Sequence, residues 1–295
     1  MTLFATANIT VIRGYDGKTR GGGAFLSIII TFLLSLIILL ILVARTGLPT
    51  FNQTAVAWFV LAGFLTIFIG RVFLYASIQH LGAIRASAIK RLNPFFSVLL
   101  GVVLLGESVS GLMMVGMALI VSSFVVLVRQ SINTVGARVP PVEKLSTLDR
   151  IINLGYLYGP ISAFAYACGY VARKQGLTIL PDAAFGTMVG ALTGIVFFVI
   201  TARFIDSYRE DIVKTFTVFN PWFLFAGIFA SLGQICYFVA LSYITISKIA
   251  LITSMEVFIT LFLTVVVLRS RESLTGEVLV AAGLGVLGTV FVILN

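Results

Sequence analysis

Trp58-Phe59-Val60-Leu61-Ala62-Gly63 returns in the second half of the chain as Trp222-Phe223-Leu224-Phe225-Ala226-Gly227, and Glu107-Ser108-Val109-Ser110-Gly111 returns as Glu272-Ser273-Leu274-Thr275-Gly276. Fainter matches extend the pattern toward the start of each half: Ala5-Thr6-Ala7 with Arg13 aligns with Ala165-Tyr166-Ala167 with Arg173, and Ala24-Phe25 aligns with Ala184-Phe185. Most offsets run from 160 to 165 residues, so insertions of only a few residues separate the copies. Landmarks repeated in one order make the chain a duplicated unit. Internally repeated bundles of apolar helices are a recurrent build of transporters, with the substrate site at the seam between the copies.

Composition sets the solvent in which this unit folds. Of 295 residues, 59% are apolar and 11% charged, and the mean hydropathy is +1.11. These values lie outside the range of soluble domains and indicate an integral membrane protein. A bilayer core of about 30 Å is crossed by an apolar run of roughly 20 residues. Such runs occupy 24–44, 55–78, 82–105, 111–128, 154–173, 183–202, 221–243, 246–268 and 276–294, nine full spans. A tenth run, Leu3 to Ile12, is apolar but too short to cross. Under the repeat, the counterparts of Leu154, Gly159 and Pro160 fall upstream of Met1, which predicts a first helix shortened at its start. The competing reading, a cleaved signal peptide, lacks a basic leader and a small-residue cleavage site before the polar stretch Arg13 to Arg20.

Five helices per copy is an odd number, so the second copy enters the membrane from the opposite side. The expected fold is an all-α membrane bundle of ten helices in two inverted five-helix repeats, residues 1–128 and 154–295. Residues 129–153, containing Val139-Pro140-Pro141, read as a linker. The net charge of +9 follows topology rather than nucleic-acid binding. Thirteen basic residues (Arg13, Lys18, Arg20, Arg85, Arg129, Arg138, Lys144, Arg150, Arg203, Arg209, Lys214, Arg269 and Arg271) fall on one face and four (Arg45, Arg173, Lys174 and Lys248) on the other. The positive-inside rule puts the richer face and the linker in the cytoplasm, with both termini outside. The expected location is a cell membrane, on the pattern of a bacterial inner membrane. Cys168 and Cys236 lie within spans and fit neither a disulfide framework nor a metal site.

Ionisable residues inside spans are costly and so point to function. Of eleven acidic residues, only Glu256 lies in the interior of a span, and Thr253, Thr260 and Thr264 share its helical face. That polar stripe is expected to face protein or water. A neutral Glu256 bonded to a neighbouring helix is the alternative to a cavity-lining role. Repeat alignment sets Glu256 against Asn93, Lys248 against Arg85, and Gln234 against Arg71. Arg71, Tyr75 and Gln79 follow at i, i+4 and i+8, with the arginine near mid-membrane. A structural role for Arg71 requires a partner, and a pair with Glu256 stays open. Lys90 shares a face with Ser87, Pro94 and Ser97, while Pro94 frees a carbonyl one turn earlier. Arg85 and Lys248 read as snorkelling side chains. Asn8, Tyr166 and Tyr170 complete the candidates. The expected substrate-binding set is Glu256, Arg71, Lys90, Asn93, Tyr75, Gln79, Gln234, Thr253, Thr260, Asn8, Tyr166 and Tyr170, with no catalytic or metal-ligating residue. Ser110 and Thr275 read as N-caps of the helices that follow them.

The paired halves, the run from Ser77 through Leu81-Gly82-Ala83-Ile84-Arg85-Ala86-Ser87-Ala88 to Asn93-Pro94, and the Glu-Ser-x-Ser-Gly turn resemble the EamA domains of the drug/metabolite transporter superfamily. The resemblance covers nearly the whole chain. It implies ten helices in two inverted repeats, a central cavity, alternating access and export of amino acids and other metabolites. Two departures stand out: the shortened first helix, and Val257 where the second copy of the family pattern repeats a proline. Family members are drawn with both termini cytoplasmic, opposite to the charge-based orientation, which is retained here.

With one histidine, His80, and no HExxH or GxSxG motif, an intramembrane enzyme is disfavoured. The leading reading is a cofactor-free exporter of a small polar metabolite, functional as a monomer in the bilayer. A lipid-carrier flippase or a non-transporting membrane subunit is the alternative. Glu256 then either neutralises a cationic group of the cargo or carries a coupling proton.

Overall fold

The computed structural model describes residues 1–14, 23–47, 52–81, 92–107, 110–136, 157–253, 256, 259–260, 262–263 and 276–293, and every regular element among them is helical. The first half holds α1 (Thr2–Gly14), α2 (Gly23–Thr46), α3 (Gln53–Gly63), α4 (Arg71–Leu81), α5 (Leu92–Leu105) and α6 (Gly111–Gly136). A π-helical segment, Phe64–Gly70, joins α3 to α4 without a break. The second half holds α7 (Tyr158–Ile179), α8 (Ala183–Thr201), α9 (Asp206–Thr217), α10 (Pro221–Tyr243), α11 (Ile246–Thr253) and α12 (Gly276–Ile293). Among the described residues, Gly23–Arg45, Gln53–Ile78, Ala183–Thr201 and Pro221–Tyr243 are long and apolar enough to cross a membrane.

Helix starts are set locally. The side chains of Asn52, Asp182 and Asn220 accept from the backbone N–H groups of Ala55, Phe185 and Trp222, and Pro221 occupies the first turn of α10, where its missing N–H costs nothing. Ser110 accepts from Met113 N–H at 3.3 Å, as expected of an N-cap, while Thr275 lies outside the described residues. At 13 residues α1 is about 20 Å long, short of the bilayer core.

Polarity runs inward. Along α2, Ser27, Thr31 and Ser35 recur every fourth residue and are wholly buried, whereas Leu33, Ile37 and Leu40 on the other side are about half exposed. This inverts the pattern of a soluble amphipathic helix and fits an apolar surround.

Contacts between the halves come in matched sets. α1 lies along α10 and α7 along α3; α2 meets α10 and α8 meets α3; α2 and α8 cross each other, and α6 pairs with α12. The seats match as well. A Cβ on Gly63 would lie 2.4 Å from the Cα of Gly190, and one on the equivalent Gly227 would lie 3.3 Å from the Cα of Ser27. Phe223 fills the space beside Gly14 and Gly23, as Phe59 does beside Gly176 and Gly186.

Glu107 ties the two halves at one face. Gly106, at φ +65°, turns the chain so that Glu107 N–H donates to the Gly101 carbonyl at 3.1 Å. The Glu107 carboxylate then accepts from Ile246 N–H at 2.9 Å, from Ser247 N–H at 3.1 Å and from the Ser247 hydroxyl, at the start of α11. A carboxylate against the positive end of a helix is a favourable arrangement.

Several expectations are corrected. α6 runs on to Gly136, past residue 128 where the apolar run was expected to end. α7 extends to Ile179 rather than ending at 173, so Arg173 is 1% exposed inside the bundle instead of at a face. Removing it from the group of four leaves three on the basic-poor side. Lys174 is half-buried and donates to the carbonyls of Leu241 and Ile244 at the end of α10. The connection 203–220 contains an unforeseen helix, α9, whose Asp211 caps α2 by accepting from Phe25 N–H at 3.1 Å.

Candidate functional site

Between the halves lies a cavity of about 60 Å³, lined by Phe4, Ala7, Asn8 and Val11 of α1, Arg71, Leu74 and Tyr75 of α4, and Asn93 and Pro94 of α5. Tyr166 and Tyr170 of α7, Ala230, Gln234 and Tyr237 of α10, and Thr253 and Glu256 complete the wall. At about 10–15 Å³ per water, that volume holds on the order of four to six waters, so the site is compact. Each helix contributes through its own period: 4, 7, 8 and 11 form one face of α1, as 71, 74 and 75 do of α4 and 230, 234 and 237 of α10.

The polar groups are held from several helices. Glu256, 5% exposed, accepts from the Asn8 amide at 2.8 Å, and Thr260 donates to the Glu256 carbonyl at 2.9 Å. Asn93, the repeat counterpart of Glu256, accepts from Ser97 at 2.9 Å. Arg71 donates through Nη1 to the Ser27 carbonyl at 2.9 Å and the Thr31 hydroxyl at 2.7 Å, and Thr31 bonds in turn with Ser231 of α10 at 2.8 Å. Tyr170 stacks on Tyr237 with ring centroids 4.4 Å apart, and Tyr166 stands 5.9 Å from Tyr170.

Behind this wall lies Arg173. Its Nη2 donates to Thr66 at 2.5 Å, its guanidinium meets the Gln234 side-chain oxygen, and it sits 4.7 Å from the Phe238 ring centre and 5.7 Å from that of Tyr170. Thr66 belongs to the π-helical segment and itself donates to the Ala62 carbonyl at 2.7 Å. Among the described residues no ion pair joins Arg71 or Arg173 to a carboxylate, so the pair of Arg71 with Glu256 left open by the sequence is not formed.

Nine of the expected residues line this one cavity: Glu256, Arg71, Asn93, Tyr75, Gln234, Thr253, Asn8, Tyr166 and Tyr170. Thr260 is buried beneath Glu256 and is not part of the lining. Lys90 and the side chain of Gln79 lie outside the described residues, as does Thr264. Sequence reasoning missed Tyr237, Phe4, Ala7, Val11, Leu74 and Ala230, although the helical period relates each to a residue it did find. It also missed Arg173. The arrangement offers hydroxyls, amides, one guanidinium and one carboxyl to a small polar molecule, with aromatic faces beside them; among the described residues no group of three His, Cys, Asp or Glu side chains could hold a metal.

Comparison with known proteins places the chain. One solved crystal structure, described only as that of a protein, is similar to it with a TM-score of 0.64 at 14% sequence identity, covering 99% of this chain and 95% of the other. That likeness speaks to the fold alone. No curated protein sequence matches. A model of the EamA-like transporter family matches residues 5–129 and 153–294, a stretch in each half. These matches take in most of the sequence, and the chain belongs to the EamA-like transporter family.

Proposed function

We propose that this membrane transporter carries a small polar metabolite, an amino acid or a related compound, outward by alternating access around the central cavity. In this reading residues 1–128 and 154–295 are inverted five-helix repeats joined by 129–153, the linker is cytoplasmic, and the protein works as a monomer without a cofactor. The observation that carries it is the composition of the cavity wall. Both halves supply polar side chains to one compact, otherwise apolar space, and the contacts between halves come in matched sets. A site at the seam of two copies is what rocking of one copy against the other requires.

Counterflow in proteoliposomes tests this. Vesicles preloaded with an unlabelled mixture of amino acids and small organic acids should accumulate labelled forms of one or a few of them. Failure to exchange any compound that also stabilises the purified protein against heat would overturn the reading.

A further inference from the structure

We propose that Arg71, Tyr75 and Tyr237 form a carboxylate subsite, so that the cargo presents a free carboxylate to this part of the wall. The inference deepens the transport reading and rests on the cavity being the cargo site. Arg71 is 3% exposed and lines the cavity, yet all its bonds run through Nη1, to Ser27 and Thr31. Nη2 and Nε are left over. The Tyr75 hydroxyl, one turn further along α4, and the Tyr237 hydroxyl of α10 have no hydrogen-bond partner, although both residues are more than nine-tenths buried and line the same cavity. Buried donors left unbonded are costly, and here two tyrosine hydroxyls are in that state on residues that line the cavity together with Arg71.

The charge points the same way. A guanidinium buried in a membrane protein is costly unless paired, and among the described residues neither Arg71 nor Arg173 is paired with a carboxylate. Arg173 engages Gln234, itself part of the lining, so a second positive charge lies directly behind this wall. An incoming carboxylate supplies what is missing: counter-charge, and two oxygens in the plane that a guanidinium fork matches. The subsite is one-sided. At the repeat-equivalent positions of Arg71 and Tyr75 stand Gln234 and Phe238, which offer neither charge nor hydroxyl.

The full chain in lipid nanodiscs is titrated with straight-chain and phenyl-terminated carboxylates, each beside its primary amide and its amine, and with inorganic phosphate. Melting temperature and calorimetric affinity are read. At least one acid should bind roughly tenfold or more tighter than its amide. Arg71→Gln should erase that preference, while Tyr75→Phe and Tyr237→Phe, which keep the rings, should weaken the acid several-fold and leave the amide unchanged. If Arg71→Gln does not fold, the two tyrosine variants decide. The proposal is overturned if amines bind better than acids, if phosphate binds and no carboxylate does, if no acid binds, or if the preference survives all three substitutions. Acid binding without flux would sink the transport reading alone; flux of a cargo with no preference for acid over amide would sink only the subsite.

Discussion

Arg173 shows what holds a charge inside an apolar bundle when, among the described residues, no carboxylate is paired with it. Its stabilisation is spread over the Thr66 hydroxyl of the π-helical segment, the Gln234 amide oxygen and the Phe238 ring one turn apart on α10, and the Tyr170 ring on its own helix. Removing one support should therefore be felt. Thr66→Val keeps the shape and strands a guanidinium donor, and should lower stability by about 1–3 kcal/mol, measured as a loss of melting temperature in detergent; an unchanged melting curve would mean that the other contacts suffice. Glu256 calls for a different outcome. Glu256→Gln keeps size and a partner for Asn8, so flux should fall to near background while melting temperature holds. Wild-type flux would exclude Glu256 from the transport cycle. The sequence exposed Glu256 because it is the one acid inside a span, but hid Arg173 because it precedes Lys174 near the apparent end of a run. Hydropathy places a helix end only to within about a turn, and the partners Thr66 and Gln234 are remote in sequence.

At the scale of the element, small residues decide how closely the halves meet. Gly63 and Gly190 bring α3 and α8 together at a point where a Cβ would overlap backbone, which cannot move aside as a side chain can. Gly63→Val should cost about 1–3 kcal/mol or more through overpacking, seen as lower melting temperature and poorer recovery of folded protein. Gly283, in α12, offers the contrast, since a Cβ there meets nothing within 4 Å. Gly283→Ala should be neutral or stabilise by about 0.5–1 kcal/mol through helix propensity. Equal losses at the two sites would show that close approach is not what Gly63 is for. The repeat made these seats legible in part, because Trp58 to Gly63 and Trp222 to Gly227 were visibly equivalent. The π-helical segment was not legible, since Phe64 to Gly70 has the hydropathy of any apolar turn and its register depends on what packs against it. α9 was hidden for the opposite reason: its charged residues resemble a solvated connection.

For the whole molecule, the charge asymmetry and the matched contacts make one topological expectation. Asn133→Cys, near the end of α6, should resist an impermeant maleimide in intact cells and react after permeabilisation; efficient labelling in intact cells would invert the orientation. The same two-sidedness gives the Glu107 clasp a meaning beyond helix capping. Its bonds to Ile246 and Ser247 join the first half to the second at a single face. Under the proposed alternating cycle, opening that face would part those bonds, and their strength would then enter the ratio of the two states. Charge-assisted bonds worth about 1.5–3 kcal/mol correspond to a shift of about 10- to 150-fold in a two-state population. Glu107→Gln should therefore displace the resting equilibrium toward molecules open at that face, and a cavity cysteine introduced as Ala230→Cys should react about tenfold faster from that side. An unchanged rate would mean that the clasp is indifferent to the state of the gate. If the rate rises as expected, the resting poise of the carrier is set by a side chain outside the lining of its cavity.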